Sequence, residues 1–156
     1  MKAASPAPSW LPGRLLLSAA VLSLGGCISG RVLEGWPGYP FLSFDTPAPV
    51  DSTFFAVQRE LVAEGFELDF TERTSGLVNT RPLEIDAMTM FLSIVVDTTA
   101  AGGSRLWVAG YEPVRGGARR ISPRREEAWA TLRAIAVRLS ERLGGTGPTE
   151  PEVPAG

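Results

Sequence analysis

The chain has no histidine among its 156 residues, so it lacks the commonest general base and metal ligand. A Ser-His-Asp catalytic arrangement is therefore impossible. The sequence also lacks a Gly-x-Ser-x-Gly motif, a phosphate-binding loop, a dinucleotide fingerprint and a calcium-loop pattern. We therefore expect neither catalysis nor a bound cofactor or metal.

Cysteine is almost as scarce, because Cys27 is the only one. An internal disulfide, common in small exported domains, cannot form. Any domain that follows Cys27 must be held together by its hydrophobic core. The roughly 130 residues from Cys27 onward suit one domain.

An uncharged apolar stretch from Leu15 to Leu24 precedes this cysteine, and Lys2 and Arg14 precede the stretch. An export signal has such a positive leader, an apolar core of about 7–15 residues and a small-residue cleavage site. The apolar core is about half as long as a bilayer-spanning helix requires. Residues 1–26 are therefore predicted to be a signal peptide.

Leu24-Gly25-Gly26-Cys27 resembles the lipobox of bacterial lipoproteins. The resemblance implies that a diacylglycerol is attached to the Cys27 sulfur and that the chain is cut after Gly26. Ile28, rather than Asp, follows the cysteine, which implies an outer-membrane location facing the periplasm. In a cell without an outer membrane, the outer face of the cytoplasmic membrane is implied instead.

The charge balance after the signal is mildly acidic. All 17 acidic residues follow Gly26, whereas Lys2 and Arg14 precede it, so 13 basic residues stand against 17 acidic ones and the net charge is −4. Nonspecific nucleic-acid binding depends on phosphate neutralisation by basic residues. We therefore expect no nucleic-acid partner.

Residues 27–40 are rich in glycine and proline and are predicted to be a lipidated tether. About a dozen flexible residues have a reach near 20 Å. Trp36 and Tyr39 interrupt this stretch, and two placements stay open for them. They lie at the membrane interface, as aromatic residues often do, or they pack on the folded domain.

Residues 41–143 predict a single α+β domain, and residues 144–156 a disordered tail rich in Pro, Gly and Glu. The predicted elements are a strand from Phe41, a helix capped by Asp51 with Val50 and Phe55 as a hydrophobic staple, a hairpin within 66–80, strands over 87–97 and 105–114, a loop over 115–120, and a helix over 123–143. An antiparallel sheet of four to five strands with both helices packed on one face would bury every apolar stripe.

The pattern between Phe41 and Thr80 resembles the repeats of BamC-type lipoproteins, accessory members of the outer-membrane barrel-assembly machinery. The shared features are a short strand, a Pro-containing turn, a helix, a Gly-aromatic strand, and Gly with two apolar residues. The matching residues are Phe44, Pro47, Ala48, Pro49, Val57, Leu61, Gly65, Phe66, Leu68, Gly76, Leu77 and Val78. The match covers about a quarter of the chain and transfers no site residue.

Two groups of charged residues are candidate sites. Glu67 with Asp69, and Glu84 with Asp86, are carboxylate pairs, but strand alternation places the first pair on a solvated face rather than in a cleft. The second group is five arginines that form a candidate partner contact, or else a solvated loop. They are Arg115, Arg119, Arg120, Arg124 and Arg125.

These observations predict a non-catalytic, lipid-anchored envelope lipoprotein that acts as a protein-interaction or assembly accessory module. It would offer a sheet face or the 115–125 segment to an envelope protein, and its acyl chains on Cys27 to the membrane. The alternative is a lipoprotein that binds lipid or lipopolysaccharide in an apolar pocket formed by Met88, Met90 and Leu92.

Overall fold

The computed structural model describes residues 41–150. The predicted signal peptide, Cys27, the tether and residues 151–156 lie outside the described residues. The elements in chain order are β1 (Leu42–Thr46), α1 (Val50–Ala63), β2 (Leu68–Glu72), β3 (Leu77–Thr80), β4 (Leu83–Ile85), β5 (Met88–Thr98), β6 (Ser104–Val114), β7 (Gly117–Arg120) and α2 (Glu126–Arg142). Neither helix of residues 41–150 is long and apolar enough to cross a membrane.

The strands form one antiparallel sheet in the order β1-β6-β5-β3-β2. In addition, β4 pairs with β5 beyond the end of β3, and β7 pairs with β6 beyond the end of β1. The α+β class is confirmed, but the predicted count of four to five strands is wrong, because residues 41–150 form seven. β4 has only three residues, and β7 lacks apolar alternation. Both strands form because β5 extends beyond the residues that pair with β3, and β6 extends beyond those that pair with β1.

Both helices pack on the same face of the sheet. α1 contacts β5, α2 contacts β1 and β6, and the helices contact each other. Even-numbered residues of β5 and β6 point to this side, as the two-residue period of a strand requires. The fully buried side chains include Leu42, Leu61, Met90, Leu92, Ile94, Leu106, Leu132, Ile135 and Leu139. One hydrophobic core therefore fills the space between sheet and helices.

The start of α1 differs from the prediction. The N-cap position is Pro49, whose carbonyl accepts a hydrogen bond from the Thr53 amide, and no side chain caps the helix. Asp51 lies in the first turn instead and pairs with Arg73 at 2.9 Å. Phe55 is 56% exposed, so the predicted hydrophobic staple is wrong. The guanidinium of Arg73 lies over the ring of Phe55, which accounts for the position of this ring on the surface.

The beginning of the predicted disordered tail is ordered against β1. Ser43 and Thr149 exchange backbone hydrogen bonds of 3.2 and 2.6 Å, and the Thr146 amide donates to the Asp45 carbonyl at 3.0 Å. The free edge of a strand exposes unpaired backbone groups that invite aggregation. Residues 146–149 cover this edge, so the prediction of disorder is corrected for them.

Candidate functional site

Two of the five predicted contact arginines converge on one carboxylate. Glu112 of β6 points to the helix side of the sheet and is only 7% exposed. Arg119 donates to its Oε2 atom from Nε and Nη2 at 3.2 and 3.0 Å, and Arg125 donates to Oε1 at 2.9 Å. Burying a carboxylate is costly unless it is paired. Arg119 and Arg125 are therefore engaged within the fold.

Arg120 points to the opposite side of the sheet, because side chains alternate along β7. Its guanidinium lies 4.9 Å from the ring centroid of Phe41 and 5.2 Å from that of Tyr111. It also donates a hydrogen bond to the Tyr111 hydroxyl at 2.7 Å. Arg120 thus belongs to an aromatic cluster that its immediate neighbour, Arg119, does not share.

The remaining two arginines are exposed. Arg115 lies in the turn between β6 and β7, and Arg124 lies in the loop before α2. The structure therefore does not bring the five arginines together as one patch. A role for Arg115 and Arg124 in partner contact stays a prediction.

The side of the sheet opposite the helices is here called the open face. Its side chains come from odd-numbered positions of β3, β5 and β6, from Arg120 of β7, and from Phe41 just before β1. The large ones are Phe41, Leu77, Phe91, Val95, Arg105, Trp107, Tyr111 and Arg120. All are half-buried. The open face is therefore a mixed surface of aromatic, aliphatic and guanidinium groups.

The aromatic rings of the open face are arranged in two pairs. Phe91 and Tyr111 are cross-strand partners and stack with their centroids 5.1 Å apart at an interplanar angle of 12°. Phe41 and Trp107 meet edge to face at 6.4 Å and 79°. Both are geometries that aromatic quadrupoles favour. These contacts give the face a defined shape.

An ion pair borders this aromatic cluster. Arg105 donates to the two carboxylate oxygens of Asp45 at 2.7 and 2.9 Å, and its guanidinium lies 5.8 Å from the Trp107 ring centroid. The hydrogen bonds from Arg105 hold the pKa of Asp45 below its ordinary value, against a smaller opposing effect of burial. Arg105 is therefore fixed in position beside Trp107.

Two short side chains of the open face lie in buried or half-buried positions. Ala109 points to this side and is 1% exposed. Asn79 lies opposite Ser93 on the neighbouring strand. The Oδ1 atom of Asn79 is buried and accepts no hydrogen bond from any described residue. Buried polar atoms are usually paired, so this oxygen is an unused acceptor within the described part of the chain.

The apolar pocket predicted from Met88, Met90 and Leu92 is not open. These residues face the helices, and Met90 and Leu92 are fully buried in the core. The prediction identified the correct face of β5, but α1 and α2 cover that face. A lipid-binding pocket at this place is therefore wrong.

A polar cleft of about 510 Å³ lies beside the Glu112 ion pairs. Its lining includes Asp86, Glu112, Arg119, Arg125 and Glu127. Three of these side chains are already paired within the fold, because Arg119 and Arg125 both form ion pairs with Glu112. Within residues 41–150, no group of three or more acidic, Cys or His side chains is placed to hold a metal ion.

Of the two candidate acid–base carboxylate pairs, Glu67 with Asp69 lies on the surface, and only Asp86 of the second pair lines the cleft. Glu67 and Asp69 are 76% and 60% exposed and lie within 3.7 Å of Arg81. Glu84 points to the surface, while Asp86 forms the two-residue β4–β5 turn with Ala87, both at positive φ. Solvated carboxylates of this kind do not provide the contrasting environments that acid–base catalysis needs.

No protein-family model matches the chain, and no curated protein is significantly similar to it.

The open face is the feature that the sequence reasoning missed. One signal was available, because β5 and β6 have large apolar side chains at odd as well as even positions. The side of β5 and β6 that faces the helices is apolar. The opposite side also has large apolar residues, which are Phe91 and Val95 of β5 and Trp107 and Tyr111 of β6. A half-solvated strand carries polar residues there instead. The pattern therefore indicates a sheet with apolar side chains on both faces.

Proposed function

We propose that this chain is a non-catalytic, lipid-anchored envelope lipoprotein that serves as an interaction or assembly accessory module. Acyl chains on Cys27 hold it in the outer membrane, and its α+β domain faces the periplasm. The anchor rests on the lipobox-like sequence. The interaction role rests on one structural observation, the aromatic and arginine side chains gathered on the open face.

The composition of the open face favours a protein partner. Tyr, Trp and Arg are the residue types enriched at the energetic centres of protein interfaces. Trp107, Tyr111, Arg105 and Arg120 lie within one cluster and hold one another through cation–π contacts. Preformed rings lose little conformational freedom when a partner binds. The partner's matching surface would be largely apolar.

The resemblance of residues 44–78 to BamC-type lipoproteins names the partners to seek first, which are outer-membrane barrel-assembly proteins. The other candidate contact is the exposed pair Arg115 and Arg124. Substituting Arg119 or Arg125 would not test partner contact cleanly, because both neutralise the buried Glu112.

The interaction role is tested by affinity purification of the native lipoprotein from detergent-solubilised envelopes. The test variant is Phe91→Ser/Tyr111→Ser, which removes the stacked rings of the open face. Arg115→Glu/Arg124→Glu tests the exposed arginines. Phe55→Ser is the matched control, because it removes an exposed ring on α1, away from the open face. Circular dichroism verifies that each variant is folded.

We expect the open-face variant to lose a partner that wild type and Phe55→Ser both retain. Partner lists that are identical for all four proteins, or that contain no specific protein, would contradict an interaction role for this face. A loss confined to Arg115→Glu/Arg124→Glu would move the contact to the β6–β7 turn.

The anchor is tested separately by the intact mass of the purified protein. We expect residues 1–26 to be absent and the Cys27 sulfur to carry a diacylglycerol. The Cys27→Ser variant should appear in the soluble periplasmic fraction. An unmodified thiol, or residues 1–26 still attached, would overturn the lipoprotein assignment without bearing on the open face.

A further inference from the structure

The chain after α2 turns back and lies along the outer edge of β1. Residues 144–150 are here called the edge strap. The Gly145 amide donates a hydrogen bond to the Ser140 carbonyl at 2.7 Å, and the Gly147 amide donates to the Ser140 hydroxyl at 2.9 Å. Ser140 is only 1% exposed. These two bonds fix the base of the edge strap on the last turn of α2.

Close packing at this base requires a glycine. A Cβ atom on Gly145 would lie 2.8 Å from the Ser140 hydroxyl oxygen, and 2.9 Å from both the Asp45 carbonyl oxygen and the Phe44 ring. Only a residue without a Cβ atom allows the backbone to approach so closely. The edge strap therefore lies directly against the Phe44 ring, which is 2% exposed. Release of the strap would uncover part of this ring.

The edge strap pairs with β1 more sparsely than a strand does. The Ser43 amide and carbonyl bond to Thr149, and the Asp45 carbonyl accepts a hydrogen bond from the Thr146 amide. Ser43 and Thr149 form an isolated bridge, whereas β1 and β6 pair along the whole of β1. Pro148 has no amide to donate. The strap thus covers the edge without adding a strand to the sheet.

The outer edge of β1 is complementary to itself. Alternate residues of an antiparallel strand direct both their amide and their carbonyl to the same side, and Ser43 and Asp45 direct theirs outward. A second β1 can therefore pair with Ser43 of each copy opposite Asp45 of the other, with hydrogen bonds exchanged in both directions. In this register the Phe44 rings of the two copies lie opposite each other, and aromatic cross-strand pairs stabilise a sheet. Each Asp45 carboxylate lies beside a serine and is already paired with Arg105.

We propose that the outer edge of β1 is a homodimer interface and that the edge strap keeps it closed. The occupant is the β1 strand of a second copy of this chain, antiparallel and with Phe44 opposite Phe44. When the strap leaves, the edge regains free amide and carbonyl groups, and such edges pair with other strands. Pairing satisfies these groups and covers the Phe44 ring again. Both copies contribute the same surface, as in most homodimers.

This inference concerns the edge of the sheet and does not depend on the partner proposed for the open face. The two sheets would join edge to edge with both Phe44 rings on the helix side. Their open faces would then form one continuous surface. Opening of the strap would therefore double the surface that one particle offers to a partner.

The far end of the edge strap is held by an exposed ion pair. Arg133 and Glu150 are 2.9 Å apart, and their side chains are 58% and 47% exposed. Ion pairs with this exposure contribute little to stability and are screened by salt. The strap is therefore fixed mainly at its base, which makes Gly145 the position to substitute.

The test uses residues 27–156 with Cys27→Ser, so that neither lipid nor an intermolecular disulfide joins two copies. Gly145→Val places a side chain where there is no space for a Cβ atom and displaces the edge strap. Thr149→Pro is a milder second variant, because it removes one amide that bonds to β1 at 2.6 Å. Gly117→Val is the matched control, since a Cβ atom at that position meets nothing within 4 Å.

Light scattering over a range of protein concentrations measures the mass of each protein, and circular dichroism verifies that it is folded. We expect the parent chain and Gly117→Val to stay monomeric. Gly145→Val should double its mass as concentration rises, and Thr149→Pro should do so at higher concentration. Adding Ser43→Pro to Gly145→Val should restore the monomer, because proline removes an outward-facing amide and leaves the bonds to β6 in place.

Three results would overturn the inference. Folded Gly145→Val and Thr149→Pro proteins that both stay monomeric would show that the edge of β1 does not pair. A parent chain that dimerises as strongly as the variants would show that the strap does not close this edge. A dimer that persists after Ser43→Pro is added would place the interface elsewhere. If Gly145→Val is unfolded, the mass of Thr149→Pro decides.

Discussion

The two faces of this sheet are formed by the same strands but by different side chains. The helix side is aliphatic, with Leu92, Ile94, Leu106 and Val108 fully buried. The open side has aromatic rings and guanidinium groups, which are half-buried. Aliphatic side chains interdigitate to crystal-like density, whereas rings and arginines retain groups that can bind another molecule. We infer that the first face holds the domain together and that the second serves recognition.

The largest expected effect is the loss of a core side chain. Leu106→Ala should lower the free energy of unfolding by about 2–5 kcal/mol, because it leaves a cavity between β6 and the helices. Val95→Ala on the open side should cost about 1 kcal/mol or less, since its side chain is only half-buried. Urea denaturation at pH 7 measures both. Equal losses would contradict a functional division between the faces.

The consecutive residues Arg119 and Arg120 sharpen the comparison, because one serves each face. Arg119→Ala/Arg125→Ala should cost about 2–3 kcal/mol, since it leaves the Glu112 carboxylate buried and unpaired. This loss in the free energy of unfolding is smaller than for a fully buried ion pair, because both arginines are partly exposed. Thermal and urea unfolding measure the loss.

Two further variants make this experiment specific. Adding Glu112→Gln to the double variant should recover part of the stability, because the buried charge is gone. Arg115→Ala/Arg124→Ala is the matched control and should stay within about 0.5 kcal/mol of wild type. If both double variants lost the same stability, the Glu112 pairing would not be the cause.

The smallest expected effect concerns the ion pair on the open face. The pKa of Asp45 is held below its ordinary 3.8 by the hydrogen bonds from Arg105. Its stabilisation is therefore fully present above pH 4 and is lost as pH falls through the lower folded-state pKa. Asp45→Asn should cost about 0.5–1 kcal/mol at pH 7, because the pair is partly exposed.

Unfolding of wild type and Asp45→Asn at a series of pH values from 7 down to 2 tests this direction. The difference in the free energy of unfolding should shrink below pH 4. A difference that stays constant to pH 2, or that grows as the pH falls, would show that the carboxylate charge of Asp45 does not stabilise the fold.

The predictable part of the fold is the part in which periodicity is strong. Met90, Leu92 and Ile94 alternate with other residues along β5, and all three are buried as expected. The stripe of Trp129, Leu132, Ala136 and Leu139 likewise faces the core. By contrast, β7 and the edge contact of Thr149 have no apolar pattern. They form because a longer neighbouring strand supplies free backbone groups.

The amino-acid sequence by itself determined the α+β class, the two core stripes and the exclusion of histidine-dependent chemistry, because these depend on local periodicity and residue type. Only the tertiary structure decided which arginine serves which face. Arg119 and Arg120 are adjacent in sequence, but strand alternation sends one to Glu112 and the other to Tyr111. Their partners come from another strand, so the pairing depends on register rather than on sequence position.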